Sequence, residues 1–395
     1  MAKLIEITGK ALSGEWGTDD ETGDGIPVLR TTNFTNEGVV DYRNVVTRTI
    51  TKKKIEEKYL RKGDIIIEKS GGSDKQPVGR VVFFDGPEQT YLFNNFTGLL
   101  RVKDQTTWYP RYVFYSMYSN YRRGGTRAFE NKTTGLHNLK TDDYVSRYEV
   151  SETSMENQME ICERLDRLYG IIKMRQQELQ KLDELIKARF VEMFGTLHDN
   201  ENGFEVVTIE NVCSLIKDGT HQTPQYTEDR EKGYKFLSSK DVMSQKIDWA
   251  DIKYIPAELH EKLYATIKPQ RNDILMSKNG VNYGVAAVND TDEVFDIYVS
   301  LALLRPKKII DPVFFRCVIN NPETKRQFDS SIKGIGVPNL HLGEIKKTQI
   351  LLPPKELQKE FVVFVEQVDK SKVAVQKALD ETQKLFDSLM QQYFG

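Results

Sequence analysis

The feature that most constrains the fold of this chain is that its sequence contains one pattern twice. Residues 59–71 (YLRKGDIIIEKSG) return as residues 267–280 (IKPQRNDILMSKNG), and residues 135–139 (GLHNL) return as residues 336–340 (GVPNL). The other matching pairs are 26–33 with 234–240, 78–82 with 283–287, 96–101 with 299–305, 158–161 with 358–361, and 194–195 with 394–395. Segments that keep their order at an offset of about 200 residues indicate a tandem duplication.

The first three quarters of each copy are predicted to mix strands and helices. Short β-rich runs bounded by Gly, Pro and Asp predict strands at residues 64–68, 79–84 and 98–102. Longer runs predict helices over residues 108–122 and 312–328. Asp311 and Pro312 suit the cap and the first turn of the second of these helices.

Each copy ends in a segment that has apolar residues at seven-residue steps. They are Leu165, Ile172, Leu179, Ile186 and Met193 in the first copy and Phe361, Val368, Val375 and Leu389 in the second. This spacing predicts a long helix with an apolar seam. Because one such helix buries little surface alone, the two are predicted to pair as an antiparallel coiled coil. The alternative is that each helix folds against its own globular part.

These patterns together predict an α+β fold with two tandem mixed α/β domains, each followed by a long helix. The predicted boundaries are 1–153 for the first globular domain, 154–196 for its helix, 197–354 for the second domain and 355–395 for its helix.

Composition excludes several classes of protein. Lys and Arg number 56 against 58 Asp and Glu, which gives a formal net charge of −2 and excludes a strongly basic nucleic-acid coat protein. The 3 cysteines and 5 histidines are too few and too scattered for a disulfide framework or a structural zinc site. With no secretory leader pattern and no long apolar run, the chain is expected to be a soluble protein of the reducing cytoplasm, with no membrane partner.

Catalytic motifs are missing from the sequence. We find no phosphate-binding P-loop, dinucleotide fingerprint, nucleophile elbow or zinc-deaminase signature. The Asn/Asp-Pro-Pro-aromatic tetrapeptide of an amino-methyltransferase is missing too. A duplicated enzyme would carry its site twice, yet no candidate catalytic pair recurs between the copies. We therefore predict a chain that performs no chemistry itself.

Polar loops next to glycine recur in both copies instead. Lysine and backbone N–H groups in such loops can hold phosphates, while Ser and Asn can read base edges. The candidates in the first pair of loops are Lys69, Ser70, Gly71 and Arg80 in the first copy and Ser277, Lys278 and Asn279 in the second. An ordinary hairpin turn is the alternative interpretation for either loop.

Two further loop groups supply the remaining candidates. A basic, Gly-rich pair of loops contributes Arg127, Lys132, His137 and Asn138 in the first copy and Lys333, Asn339 and His341 in the second. A polar loop over residues 218–224 contributes His221 and Thr223, and its counterpart in the first copy is residues 13–17. A solvated surface loop is the alternative for these segments.

The order of these motifs resembles the DNA-specificity (S) subunit of type I restriction–modification systems. The resemblance rests on GEWG at residues 14–17, IPVLRTTNF at 26–34, DGTHQTP at 218–224 and LLPPKELQKEFVVFVEQVDK at 351–370. It covers essentially the whole chain. The first copy departs from the pattern, since residues 147–161 read RYEVSETSMENQMEI and lack the Leu-Pro-Pro approach to the helix.

The resemblance implies a specific function. Each globular domain would be a target recognition domain that reads one half of a split sequence in double-stranded DNA. The paired helices would set the spacing between the halves and dock two methyltransferase subunits. S-adenosylmethionine would bind in those partners and not in this chain, which would hold no cofactor and no metal. Restriction subunits would be a further partner of the complex.

Two other classes of function are compatible with parts of the sequence. One is a scaffold with two ligand-binding modules on a helical hairpin and no affinity for DNA. The other is a methyltransferase with an unrecognised site, which would bind S-adenosylmethionine as an isolated chain. Salt-dependent retention of DNA by the assembled complex separates the first of these from a specificity subunit.

Overall fold

The computed structural model describes residues 1–52, 55–133, 136–332 and 337–395. The chain divides into two compact units. Unit 1 consists of Met1–Gln176 and Lys377–Gly395, and unit 2 consists of Gln177–Gln376. Each unit therefore combines one globular part with segments of both long helices.

Unit 1 contains thirteen strands and three short helices among its described residues. The strands are β1 Ala2–Lys3, β2 Leu12–Ser13, β3 Thr18–Asp19, β4 Ile26–Leu29, β5 Val46–Thr49, β6 Ile65–Glu68, β7 Ser70–Gly72, β8 Val81–Phe83, β9 Leu92–Phe93, β10 Thr97–Leu100, β11 Glu130–Thr133, β12 Leu136–Leu139 and β13 Glu149–Val150. The helices are α1 Leu4–Thr8, α2 Pro110–Arg122 and α3 Thr141–Arg147. The long helix α4, Met155–Phe194, begins in this unit.

Unit 2 contains nine strands and five shorter helices among its described residues. Its strands are β14 Glu205–Thr208, β15 Cys213–Asp218, β16 Tyr234–Leu237, β17 Lys253–Ile255, β18 Ile274–Ser277, β19 Ala286–Val288, β20 Phe295–Ile297, β21 Leu301–Pro306 and β22 Gln349–Leu352. Its shorter helices are α5 Ile209–Val212, α6 Ala257–Tyr264, α7 Pro312–Ile319, α8 Pro322–Ser331 and α9 Leu342–Lys347. The second long helix, α10, spans Lys355–Phe394.

Three sheets of unit 1 have counterparts in unit 2. An antiparallel sheet in the order β2-β10-β6-β8 in unit 1 corresponds to β15-β21-β18-β19 in unit 2. A parallel pair, β4 with β9, corresponds to β16 with β20. The outer pairs β1 with β13 and β14 with β22 also correspond. The predicted duplication and the mixed α/β class are confirmed.

The helix predicted over residues 312–328 is two helices in the structure. Asp311 caps α7 as predicted, because its carboxylate accepts hydrogen bonds from the backbone N–H groups of Val313 (2.8 Å) and Phe314 (3.3 Å). The single-helix prediction is wrong because Pro322 cannot continue a helix and instead opens α8. Asn321 caps that second helix by accepting from the N–H of Glu323 at 2.9 Å.

Each unit has an apolar core that includes the ends of the long helices. In unit 1, Tyr112 of α2 packs on Phe394 of α10 with ring centroids 5.1 Å apart. In unit 2, Phe314 of α7 packs on Phe190 of α4 and Phe361 of α10, at 5.7 Å and 6.1 Å. Burying one such ring contributes about 1.5–3 kcal/mol. The helices thus fold against the globular parts and also against each other, and the contacts of Phe394 with Tyr112 and of Phe190 with Phe314 join a helix to the globular part of the other copy.

The helices run antiparallel within unit 1. Arg164 of α4 donates a hydrogen bond to the Tyr393 hydroxyl of α10 at 3.2 Å. Further along α4, Arg175 donates to the hydroxyl of Thr382. Residue numbers rise along one helix as they fall along the other, which confirms the predicted antiparallel pairing in this unit.

The same pairing occurs within unit 2. The Lys372 ammonium of α10 donates to the Asp183 carboxylate of α4 at 2.5 Å. Arg189 of α4 lies 3.4 Å from the carboxylate of Glu360. Polar and charged pairs therefore accompany the apolar seam in both units, and the seam is not a purely apolar one.

Buried polar anchors are duplicated together with the strands. The Arg101 guanidinium donates to both carboxylate oxygens of Asp64, at 2.7 Å and 2.6 Å. In unit 2, Arg305 makes the same two bonds to Asp273, both at 2.8 Å. Asp64 and Asp273 are each 1% exposed, so these paired charges tie the start of one strand to the end of its neighbour in each unit.

Candidate nucleic-acid interface

In unit 1, three backbone segments meet beside the first candidate loop. The N–H of Leu139 donates to the carbonyl of Lys69 at 2.8 Å, and Asn138 lies opposite Ser70 in the β12–β7 pair. The backbone N–H groups of Lys69 and Ser70 both donate to the carbonyl of Phe96, at 2.8 Å and 3.2 Å. These hydrogen bonds join the loop at Lys69 and Ser70, strand β12 and the turn at Phe96 into one backbone scaffold.

Unit 2 builds the same scaffold from its own residues. The N–H of Leu340 donates to the carbonyl of Lys278 at 2.8 Å, and Asn279 forms a bridge with Asn339. The N–H of Lys278 donates to the carbonyl of Ser300 at 2.9 Å. Each contact has its counterpart in unit 1, so the structure brings together the loops that the sequence repeat had matched.

A lysine of the first candidate loop reaches the neighbouring loop in both units. The Lys69 ammonium donates to the Ser13 hydroxyl at 3.0 Å, and the Lys278 ammonium donates to the Asp218 carboxylate at 2.9 Å. Burial and the nearby positive charge of Lys58 lower the pKa of Lys69. The correspondence predicted between residues 13–17 and 218–224 therefore has a physical basis in this contact.

Most remaining candidates in unit 1 lie at or near the surface. The hydroxyl of Ser70 donates to the side-chain oxygen of Asn138 at 2.5 Å. Gly71 is exposed and has φ 113°, a conformation that favours glycine. Arg127 is exposed in a 3-10 turn and donates to the carbonyl of Asp74 at 3.2 Å. The backbone of Lys132 lies in β11 opposite His137, and its side chain lies outside the described part of the structure.

Arg80 and His137 lie inside unit 1 and not at its surface. The Arg80 guanidinium, 12% exposed, donates to the carbonyls of Phe34 and Thr31, both at 2.9 Å, and pairs with Glu68. Burial raises the pKa of Glu68, although the Arg80 charge opposes this shift.

His137 is 7% exposed, with Nδ1 3.3 Å from the Glu130 carboxylate and Nε2 3.7 Å from that of Asp74. Arg80 and His137 therefore each have partners inside unit 1, and these contacts account for the two side chains without a contact to DNA.

In unit 2, the candidates of the polar loop are on the surface. The His221 ring is 72% exposed, and its Nε2 lies 3.2 Å from the Asp218 carboxylate. Thr223 is exposed as well. Burial raises the pKa of Asp218, but the hydrogen bond and charge of Lys278, with a contribution from His221, outweigh it and lower the pKa.

Two candidates of unit 2 are buried by the fold. The Ser277 side chain has no exposed surface, donates to the carbonyl of Asn282 at 2.8 Å and accepts from the N–H of Val285 at 3.0 Å. The Lys278 side chain is 5% exposed and is engaged by Asp218. Neither offers a free group to a ligand in this conformation.

The last candidates of unit 2 lie beside this loop. Asn339 and His341 are exposed, and His341 precedes the first turn of α9. The side-chain oxygen of Asn279 is buried and accepts no hydrogen bond among the described residues. Lys333 lies outside the described residues.

The comparisons with known proteins identify the family. The model of the type I restriction modification DNA specificity domain matches residues 2–184 and, a second time, residues 201–382. The chain belongs to this family. The double match confirms the resemblance inferred from the motifs, and it shows that each copy of the repeat is one specificity domain.

Solved structures show the same fold. A chain from work on complex assembly and conformational transition of the type I R-M system is 15% identical, with a TM-score of 0.54 over 100% of this chain and 96% of that one. The S subunit of the type I restriction-modification system of M. genitalium is also 15% identical, with a TM-score of 0.53 over 100% and 95%. No curated protein matches the sequence significantly.

Two kinds of site are not found in the described part of the chain. The described residues contain no cluster of three or more His, Cys, Asp or Glu that could hold a metal ion. Within the same residues, no helix combines the length and the apolarity that a membrane span requires.

Sequence reasoning missed one exposed group at this surface. Phe96 is 51% exposed at the turn before β10 and begins the repeated segment 96–101, two residues before the predicted strand 98–102. The run of apolar residues after it predicted a buried strand, and only the preceding Asn94 and Asn95 indicated a turn. Ser13, the partner of Lys69, was missed because the contact joins residues far apart in sequence.

Proposed function

We propose that the two specificity domains bind double-stranded DNA as independent heads, each reading one half of a split target. The observation that carries this proposal is a shared backbone scaffold with different side chains at matching positions. Ser70 in unit 1 corresponds to Asn279 in unit 2, and Phe96 corresponds to Ser300. A common frame with different side chains suits two domains that bind the same kind of ligand with different sequence preferences.

The proposed contact set leaves out the candidates whose side chains are buried and already bonded to other protein groups. It comprises Lys69, Ser70, Gly71, Arg127, Lys132 and Asn138 in unit 1 and His221, Thr223, Asn279, Lys333, Asn339 and His341 in unit 2. Arg80, His137, Ser277 and Lys278 are assigned a supporting role, because their side chains are buried and engaged by other protein groups. Lys132 and Lys333 enter the set on their sequence positions alone.

The long helices are proposed to dock two methyltransferase subunits, with restriction subunits as further partners. Exposed apolar side chains occur on both helices in each unit. They are Met159, Met174 and Leu385 in unit 1 and Leu185, Val191, Val363 and Val373 in unit 2. A methyltransferase subunit packed on the helices would cover these side chains. The chain itself would stay non-catalytic, and S-adenosylmethionine would bind in the methyltransferase subunits.

A pair of matched variants tests the independence of the heads. The complex with a type I methyltransferase subunit is used to select sequences from a random DNA duplex library. Asn138→Ala should relax the preference in one half of the selected motif, and Asn339→Ala should relax it in the other half. One lost base-edge contact should reduce discrimination at its position about 5- to 100-fold. If both variants alter the same half, or if no motif is selected, the proposal is wrong.

A further inference from the structure

Phe96 presents an aromatic ring to solvent at the candidate DNA surface of unit 1. It is the only phenylalanine among the described residues with a largely exposed side chain, at 51%. The turn at residues 94–97 is closed by a hydrogen bond from the N–H of Thr97 to the carbonyl of Asn94 at 3.1 Å. The Thr97 hydroxyl donates to the same carbonyl at 2.9 Å. The ring is therefore carried by a rigid turn.

The turn is fixed to the segments that carry the proposed DNA contacts. The carbonyl of Phe96 accepts hydrogen bonds from the N–H groups of Lys69 and Ser70, at 2.8 Å and 3.2 Å. Ser70 in turn bonds the Asn138 side chain at 2.5 Å. An apolar ring thus lies on the same small scaffold as a hydroxyl and an amide that can reach base edges.

The matching turn of unit 2 shows that the fold does not require this ring. The N–H of Leu301 donates to the carbonyl of Tyr298 at 2.9 Å, and the carbonyl of Ser300 accepts from the N–H of Lys278 at 2.9 Å. Ser300 occupies the place of Phe96, is 8% exposed, and accepts from the N–H of Ser239 at 3.0 Å. The same turn therefore forms with a buried serine in one unit and an exposed phenylalanine in the other.

The chemistry of the base edges identifies the partner of such a ring. In the major groove, the 5-methyl group of thymine is the apolar group that distinguishes one base pair from the others, and phenylalanine is among the side chains that contact it. The geometry points to Phe96 as a specificity-determining residue that contacts the 5-methyl group of a thymine in the half-site read by unit 1. This inference rests on the proposed function.

Replacing thymine with uracil removes only the methyl group, and this provides a direct test. The complex of the full chain with the methyltransferase subunit is titrated with duplexes in which each thymine of the selected motif is replaced singly by deoxyuridine. At one position of one half-site, the wild type should lose about fourfold in affinity, which corresponds to one buried methyl group. Phe96→Ala should bind the thymine and uracil duplexes equally well.

Further variants control for folding and position. Phe96→Ser introduces the residue that unit 2 carries in this turn and should behave like the alanine variant, while Phe96→Leu should keep part of the discrimination. Tyr226→Ala removes an exposed aromatic ring of unit 2 and should leave the discrimination in the unit 1 half-site unchanged.

Three results would overturn the inference. The first is a wild type that tolerates uracil at every position of the motif. The second is a Phe96→Ala variant that still prefers the thymine duplex over the uracil duplex as strongly as the wild type does, whether or not its affinity for both duplexes is lower. Either result leaves the proposed function intact. The third is a complex that selects no sequence, which removes the proposed function as well.

Discussion

Gln358 ties the start of α10 to the globular part of unit 2, and its replacement by leucine should destabilise that unit. The side chain is 1% exposed. Its carbonyl oxygen accepts from the N–H of Asp311 at 2.8 Å, and its amide donates to the carbonyls of Ile309 (3.1 Å) and Pro353 (2.9 Å). Leucine keeps the volume of the side chain but leaves these three backbone groups without their partner.

The magnitude follows from these three groups. A buried polar group that loses its hydrogen-bond partner costs about 1–3 kcal/mol, so the loss of three partners in Gln358→Leu should lower the free energy of unfolding by about 3–9 kcal/mol. Urea denaturation measures the loss, and peptide-level hydrogen exchange shows whether it is confined to unit 2. Gln367→Leu, an exposed position on the same helix, is the matched control and should stay within about 0.5 kcal/mol of the wild type. A Gln358→Leu variant as stable as this control would refute the reasoning.

The remaining predictions concern both units. Gln158→Leu should destabilise unit 1 by a similar amount, because the Gln158 side chain makes three equivalent bonds, from the N–H of Tyr109 and to the carbonyls of Thr107 and Thr153. Faster hydrogen exchange confined to unit 2 would contradict this prediction. Lys278→Ala should weaken DNA binding and relax only the half-site read by unit 2, as library selection would show; changes in both halves would count against independent heads. Because the pKa of Asp218 is lowered in the folded state, its pairing with Lys278 stabilises above the unfolded pKa of about 3.9 and is lost as pH falls through the folded pKa. The stability difference between the wild type and Lys278→Ala, measured by urea denaturation, should therefore shrink below about pH 4; a difference that grows in acid would be inconsistent with this pairing.

The elements that sequence reasoning predicted correctly are those with local signals. The seven-residue spacing of apolar residues along α4 and α10 predicts which face of each helix is buried. Asp311 caps α7 by accepting from N–H groups only two and three residues away. The division of the predicted helix at Pro322 had a local signal too, since a residue that precedes proline is disfavoured in a helix and Asn-Pro favours a turn.

The candidate site was predicted only in outline. The repeat located the loops, because duplicated segments occupy matching positions in the two units. It did not show which side chains point outward. Lys278 is buried because Asp218 neutralises it, and charged groups are rarely buried without such a partner. Asp218 is 60 residues away in sequence, so no local pattern indicated the pair.

The central claim is that two specificity domains read two halves of one split DNA target. The most direct test is to co-express the chain with its neighbouring type I methyltransferase subunit in a host without DNA methylation and to sequence adenine methylation across the genome. We expect one motif made of two short defined halves separated by a fixed number of unspecified base pairs, with a methylated adenine in each half. A stable complex that methylates no sequence, or that methylates one continuous motif, would contradict the account.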